Sequence, residues 1–303
     1  MERESVRFVS GDAECVAWYY PGSNGGCVVM AGGFGVTKEP GTDLFAAKFQ
    51  RAGFGVLAFD YRRFGESGGS PRQVARVGEQ LADWQAAISY AGELAGVERV
   101  AIWAFSLSGG YIFPIAARNP QLAAAIAQTP NADGPAASRN AARHQKPLAM
   151  LRFAGRALLD ALGSLIGRPP LLVPLVGPPG TVALLTTPDS LRTNEALNPG
   201  NKYSEWIQAV AARSALRITA YRPGRAASRV KIPLLVVVAD QDQTALAQPS
   251  IDAVGQAPDA ELLRVPGGHY APFLEQHDVV AETEIAFLTK HLVTDSQPSA
   301  STR

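Results

Sequence analysis

Four short, unbroken apolar runs constrain this chain most: CVVMA at 27–31, FGVLAF at 54–59, VAIWAF at 100–105 and PLLVVVA at 233–239. A strand with one wet face alternates apolar and polar residues. A strand covered on both faces does not, and parallel sheets are built from such strands. Helical patterns separate the runs at 44–52, at 80–94 with Leu81, Trp84 and Ile88 on one face, and at 107–118 before Asn119 and Pro120. Alternation of this kind predicts an α/β fold with a mostly parallel, doubly wound sheet. Runs at 6–9 and 15–20 flank Ser10, Gly11 and Asp12 and predict a hairpin, and 123–127 adds a strand. After 233–239 come a helix at 245–254, a strand at 261–265 and a last helix to Leu292, where Ala281, Ile285, Leu288 and Leu292 share a face.

The rhythm is absent from 131 to 230. An apolar helix is expected at 147–165 and a second helix at 204–216. The uncharged stretch 169–188 carries six prolines and two glycines, which suit a lid and break any membrane span. The pattern therefore predicts a core made of 1–130 and 231–293, a helical lid inserted at 131–230, and a polar, disordered tail at 294–303.

Charge narrows the partners. Lys and Arg number 28 against 27 Asp and Glu, a net charge of +1, so no long-range field favours nucleic acid or an anionic membrane. A small-molecule substrate is the expected partner. Cys15 and Cys27 are too few for a disulfide framework, and there is no CxxC. His144, His269, His277 and His291 are scattered without metal-ligand spacing, so neither metal nor cofactor is expected. The charged start MERESVRF lacks an apolar core, which points to a cytoplasmic location.

A serine nucleophile needs a base, a group to hold the base, and donors for the oxyanion. Two segments resemble the G-x-S-x-G turn. GESGG at 65–69 matches in full but follows Arg62 and Arg63 and precedes Ser70 and Pro71, as an exposed loop would. AFSLS at 104–108 matches loosely but lies between a buried run and a helix, where a strained strand-to-helix turn can present Ser106. Ala104 and Ser108 are small enough for that turn, and Gly109 and Gly110 let the helix pack closely.

The base is expected on a loop after a late strand, and His269 lies in VPGGHY just past 261–265. Asp240 and Asp242 both follow the run at 233–239, and either can accept the imidazole N–H. Leu107, directly after Ser106, is expected to give one oxyanion N–H, and the loop GGFG at 32–35 the other. A dinucleotide fingerprint fits that loop poorly, because Lys38 takes the third glycine position and Pro40 interrupts the helix.

Together VVMAGGFGVTKE, FDYRRFGESGG, IWAFSLSGG, PLLVVVADQD and VPGGHYAPF resemble the α/β-hydrolase fold. More narrowly, they resemble bacterial hydrolases of the X-Pro dipeptidyl-peptidase (S15)-like and acetylxylan-esterase-like groups. The resemblance implies Ser106 as nucleophile, Asp242 as acid, His269 as base, and Phe34 and Leu107 as oxyanion donors. Departures fall at Gly32, where many members carry His, at Ala104 and Ser108 in place of elbow glycines, and at Arg63 in place of glycine.

The activity so implied is that of a serine hydrolase cleaving a carboxylic ester through an acyl-enzyme. Phe153, Leu158, Leu162, Leu165, Trp206 and Ile207 suggest an apolar lid, with Phe153, Leu158, Leu162 and Trp206 as its pocket and a hydrophobic acyl or alkyl group as its guest. The same parts can serve a thioesterase, a peptidase, or a biosynthetic lyase that eliminates an acyl group.

Overall fold

The computed structural model describes residues 2–293. The expected disordered tail at 294–303 lies outside the described residues. Strands β1 (Glu4–Ser10), β2 (Ala13–Tyr20), β3 (Gly26–Ala31), β4 (Gly55–Phe59), β5 (Arg99–Phe105) and β6 (Ala124–Gln128) precede the long connection. Strands β7 (Leu172–Pro174) and β8 (Ala209–Ala211) lie within it, and β9 (Leu234–Ala239) and β10 (Ala260–Val265) follow. Eight strands form one sheet in the order β1-β2-β4-β3-β5-β6-β9-β10. The hairpin β1–β2 and the β2–β4 pair are antiparallel, and every pair from β4 to β10 is parallel.

Helices α1 (Thr42–Arg51), α2 (Val77–Glu93) and α3 (Ser106–Arg118) alternate with the early strands. The connection carries α4 (Gly134–Arg143), α5 (Pro147–Leu165), α6 (Thr193–Leu197) and α7 (Ser214–Ile218), and α8 (Ala247–Val254) and α9 (His277–Leu292) complete the core. The packing puts α1 and α9 on one face of the sheet and α2, α3 and α8 on the other. Continuous apolar strands are therefore covered twice, and β3, β4, β6 and β9 are buried at every position. Phe45 of α1 meets Trp103 of β5 at 5.0 Å between ring centroids, and Phe59 of β4 meets Trp84 of α2 edge-on at 5.2 Å.

Two local expectations change. The helix predicted at 204–216 is instead a turn, strand β8 and the short α7. Val210 is drawn into extended backbone by antiparallel pairing with Val173 of β7, a long-range pairing that local periodicity does not register. Helix α4 stands at the start of the connection, where no helix was expected. Its signals were present: Asp133 caps it by accepting from Ala136 N at 2.7 Å, and Pro135 occupies the first turn.

The connection is fastened internally by Asp160 of α5. This buried carboxylate accepts from Leu171 N at 2.8 Å and Arg213 N at 2.9 Å, and pairs with the Arg213 guanidinium at 3.3 Å. Among the described residues no helix is long and apolar enough to cross a membrane.

Candidate active site

Ser106 begins α3 directly after β5 and holds φ at +59°. A side chain in the left-handed region is disfavoured, so the surroundings must enforce it. They do so by close packing behind the turn. A Cβ on Gly109 would lie 2.9 Å from the Gln128 carbonyl oxygen, and Asn131 N donates to the Ser106 carbonyl at 2.9 Å. Ser108 replaces a second glycine without leaving its hydroxyl unpaired. Trp84 Nε1 donates to Tyr61 Oη at 2.7 Å, and Tyr61 in turn donates to Ser108 Oγ at 2.9 Å.

His269 and Asp242 converge on this serine. His269 Nε2 lies 3.0 Å from Ser106 Oγ, and Nδ1 lies 2.7 Å from Asp242 Oδ2. With Nδ1–H donating to the carboxylate, Nε2 is free to accept the serine proton. The other Asp242 oxygen accepts from Thr244 N at 2.9 Å and Ala245 N at 2.6 Å. Asp240 turns outward to Arg264 at 2.9 Å. Burial acts to depress the His269 imidazole, but the Asp242 carboxylate, assisted by Asp189, outweighs it and holds the group above its ordinary value.

Asp189 lies in the connection and gave no signal in the sequence. Its oxygens accept from the backbone N–H groups of Gln243 (2.7 Å) and His269 (3.2 Å) and from Thr244 Oγ1 (2.8 Å). Burial works against its ionisation, yet the His269 charge and these donors hold its carboxyl below the ordinary range.

The GGFG loop follows β3. Phe34 N has no hydrogen-bond acceptor among the described residues, and Leu107 N lies in the first turn of α3, where no intrahelical acceptor exists. Both therefore remain available to an oxyanion. Lys38 N and Nζ donate to the buried Asp60 carboxylate at 2.7 and 3.0 Å and anchor the loop from one side. Trp206 Nε1 donates to the Gly35 carbonyl at 2.8 Å and anchors it from the other. A Cβ at Gly32 would lie 2.9 Å from the Val36 carbonyl oxygen, so this tight loop excludes a larger residue there.

Ser67 is not exposed as its loop context suggested. It is buried, accepting from Val16 N at 2.8 Å and donating to the Asp60 carbonyl at 2.7 Å, so it ties β2 to the turn after β4. Arg63 keeps φ at +74° where glycine would be unstrained, and Glu79 holds its guanidinium at 2.8 Å.

A cavity of about 250 Å³ opens onto Ser106. Its wall includes Phe34, Leu107, Ala141, Met150, Phe153 and Leu185, and no charged side chain lines it. Of the four expected pocket residues, Phe153 alone reaches this wall. Leu158 and Leu162 lie on the outer face of α5, 56% and 53% exposed, because Ala149, Ala157 and Asp160 form its inner face. Trp206 is buried and engaged with Gly35, outside the cavity lining. His277 packs edge-on against Phe45, and no cluster of three metal-ligating side chains occurs among the described residues.

Sheet order, helix layers and sequence together place the chain in a class: it belongs to the α/β-hydrolase fold family, which matches residues 28–276, and it is an enzyme of the hydrolase type. Among curated proteins it is similar to the quorum-quenching protein AidA of Acinetobacter baumannii (strain MDR-ZJ06), with 37% identity over 291 residues and 94% of each chain covered. It is also similar to the polyketide transferase ATR5 of Stachybotrys chlorohalonatus (strain IBT 40285), 29% identical over 248 residues with 80% of each covered. The crystal structure of the alpha/beta hydrolase GrgF from Penicillium sp. sh18 shares the fold at a TM-score of 0.80 and 20% identity, covering 97% of this chain and 100% of that one. These matches support the fold family and do not reach the narrower S15-like or acetylxylan-esterase-like grouping.

Proposed function

We propose that the protein is a serine hydrolase of uncharged carboxylic esters. One observation carries this: the continuous path from Ser106 Oγ to His269 (3.0 Å) to Asp242 (2.7 Å) beside a cavity without charges. Ser106 Oγ attacks the ester carbonyl carbon as its proton passes to His269 Nε2. The carbonyl electron pair moves onto oxygen, where the Phe34 and Leu107 N–H groups stabilise it. Collapse expels the alcohol, which takes the proton from Nε2 and leaves an acyl-serine. Water, deprotonated by the same nitrogen, then releases the acid. Asp242 orients the imidazole and stabilises its charged form.

The uncharged wall supports a neutral acyl or alkyl group, and residues 131–230 serve as the lid that supplies part of it, beside Phe34, Leu107 and Tyr270 of the core. A peptide's terminal ammonium would need a carboxylate in that wall, which disfavours a peptidase. The name of the quorum-quenching relative supports a quorum signal as substrate.

A second reading is favoured by the relatives named as polyketide transferases and thiohydrolase: the acyl-serine forms from a thioester, or passes to an acceptor other than water. A biosynthetic elimination would need no acyl-serine at all.

Fluorophosphonate labelling located by mass spectrometry, followed by a panel of p-nitrophenyl esters and acyl thioesters, separates these. Ester hydrolysis predicts a label on Ser106 and a loss of about six powers of ten in kcat for Ser106→Ala. Full turnover by Ser106→Ala excludes the proposal, and added alcohol acceptors that divert the acyl group would establish transfer.

A further inference from the structure

Asp189 opens a single helical turn, Asp189–Arg192, in the connection between β6 and β9, and reaches the two loops that carry the base and the acid. Its Oδ2 gathers three backbone donors: Gln243 N (2.7 Å), His269 N (3.2 Å) and Thr244 N (3.3 Å). Its Oδ1 accepts from Thr244 Oγ1 (2.8 Å), and that hydroxyl also lies 2.6 Å from Thr187 Oγ1. Thr244 N is shared with Asp242 Oδ1 at 2.9 Å, so one residue links both carboxylates.

A Ser-His-Asp path needs one carboxylate, and a second, half-buried ion carries a partial desolvation cost. The charged groups facing His269 are Asp242, from the turn after β9, and Asp189, from the connection. Its other close neighbours, Ser106 and Tyr270, are neutral.

We propose that Asp189 is a positioning residue for the reaction: it holds the His269 loop and the Asp242 turn in register and supplies a second negative charge facing the imidazolium. When Ser106 Oγ bonds to the carbonyl carbon and its proton reaches Nε2, the new positive charge meets two carboxylates. The connection that roofs the cavity thereby also tunes the base. This rests on the serine-hydrolase proposal.

Asp189→Asn isolates the charge. The amide oxygen can keep the three backbone donors, and the amide NH₂ can donate to Thr244 Oγ1, which then donates to Thr187. The experiment compares wild type, Asp189→Asn, Asp189→Ser and Asp189→Glu. It reads the pH dependence of the fluorophosphonate labelling rate, kcat and KM for a p-nitrophenyl ester, and the melting temperature.

In Asp189→Asn the acid limb moves to lower pH by about one unit, because the imidazolium loses a stabilising anion. At the plateau kcat falls about tenfold while KM stays within about twofold. Asp189→Ser shifts the limb in the same direction, and Asp189→Glu restores it towards wild type.

A folded Asp189→Asn with the wild-type limb and plateau overturns the inference. Failure of both neutral variants to fold also overturns it, since the charge would then serve the fold and not the base. A wild-type protein that takes no label at Ser106 removes the serine-hydrolase proposal itself. A labelled wild type with an indistinguishable Asp189→Asn removes only the role of Asp189.

Discussion

Trp206 donates its indole N–H to the carbonyl oxygen of Gly35 at 2.8 Å, joining the β6–β9 connection to the loop that carries Phe34. That bond restrains the residue next to Phe34, so under the proposed mechanism an indole far along the chain helps to hold the loop of an oxyanion donor. Trp206→Phe keeps an aromatic ring in the buried site and removes only the donor. It is expected to lower kcat by about tenfold, below the two to three powers of ten typical of losing an oxyanion donor outright, with KM nearly unchanged. Steady-state kinetics on a p-nitrophenyl ester decide it. A rise in KM at constant kcat would instead assign Trp206 to substrate binding.

Ser106 holds φ at +59° because Gly109 packs against the β6 carbonyl behind it. Ser106→Ala keeps the Cβ and therefore the strain, whereas Ser106→Gly removes both the hydroxyl and the strain. Both variants lose turnover. Urea denaturation is expected to find the glycine variant more stable than the alanine variant by about 1 kcal/mol, after the entropy that glycine adds to the unfolded chain. Equal midpoints would show that the turn stores no such strain.

The core was legible because covered parallel strands leave a signature of uninterrupted apolar letters, and VAIWAF and PLLVVVA carry it. Ser106 could be told from Ser67 by context, since a hydroxyl presented at a strand end needs a strand before it and small residues behind it. Other features depend on partners that have no letter. Asp240 and Asp242 are two residues apart, and only the turn geometry sends one to Arg264 and the other to His269. Asp189 binds mostly backbone N–H groups, which every sequence contains. Helix α5 had the predicted bounds, yet its inward face is set by Asp160 reaching Leu171 and Arg213, so Leu158 and Leu162 turn to solvent.

That orientation is testable. Phe153 lines the cavity above Ser106, and Leu162 does not. Phe153→Ala enlarges the apolar wall and is expected to raise KM for short acyl esters several-fold, by about 1 kcal/mol of lost contact, while easing longer chains. Leu162→Ala is expected to leave both constants at their wild-type values. A chain-length profile of p-nitrophenyl esters compares them, and a matching change in both variants would return Leu162 to the pocket.

Glu284 of α9 is fully buried, with one oxygen accepting from Trp103 Nε1 at 3.0 Å and the other without a partner among the described residues. Burial pushes its carboxyl well above the ordinary range. The folded protein therefore keeps a proton that the unfolded chain releases near its ordinary value. The stability this group contributes is complete below that ordinary value and is lost as pH rises through the folded value. Glu284→Gln can still accept from Trp103 and has no proton to lose. The wild type should weaken relative to Glu284→Gln as pH rises from 5 to 8, by up to about 1.4 kcal/mol per unit. His269, also raised in the fold, loses stability in the same direction, but it does so equally in both proteins and cancels from their difference. Urea midpoints at each pH measure that difference. Parallel curves would mean that Glu284 ionises in the folded state at little cost, most simply through water reaching its unpartnered oxygen.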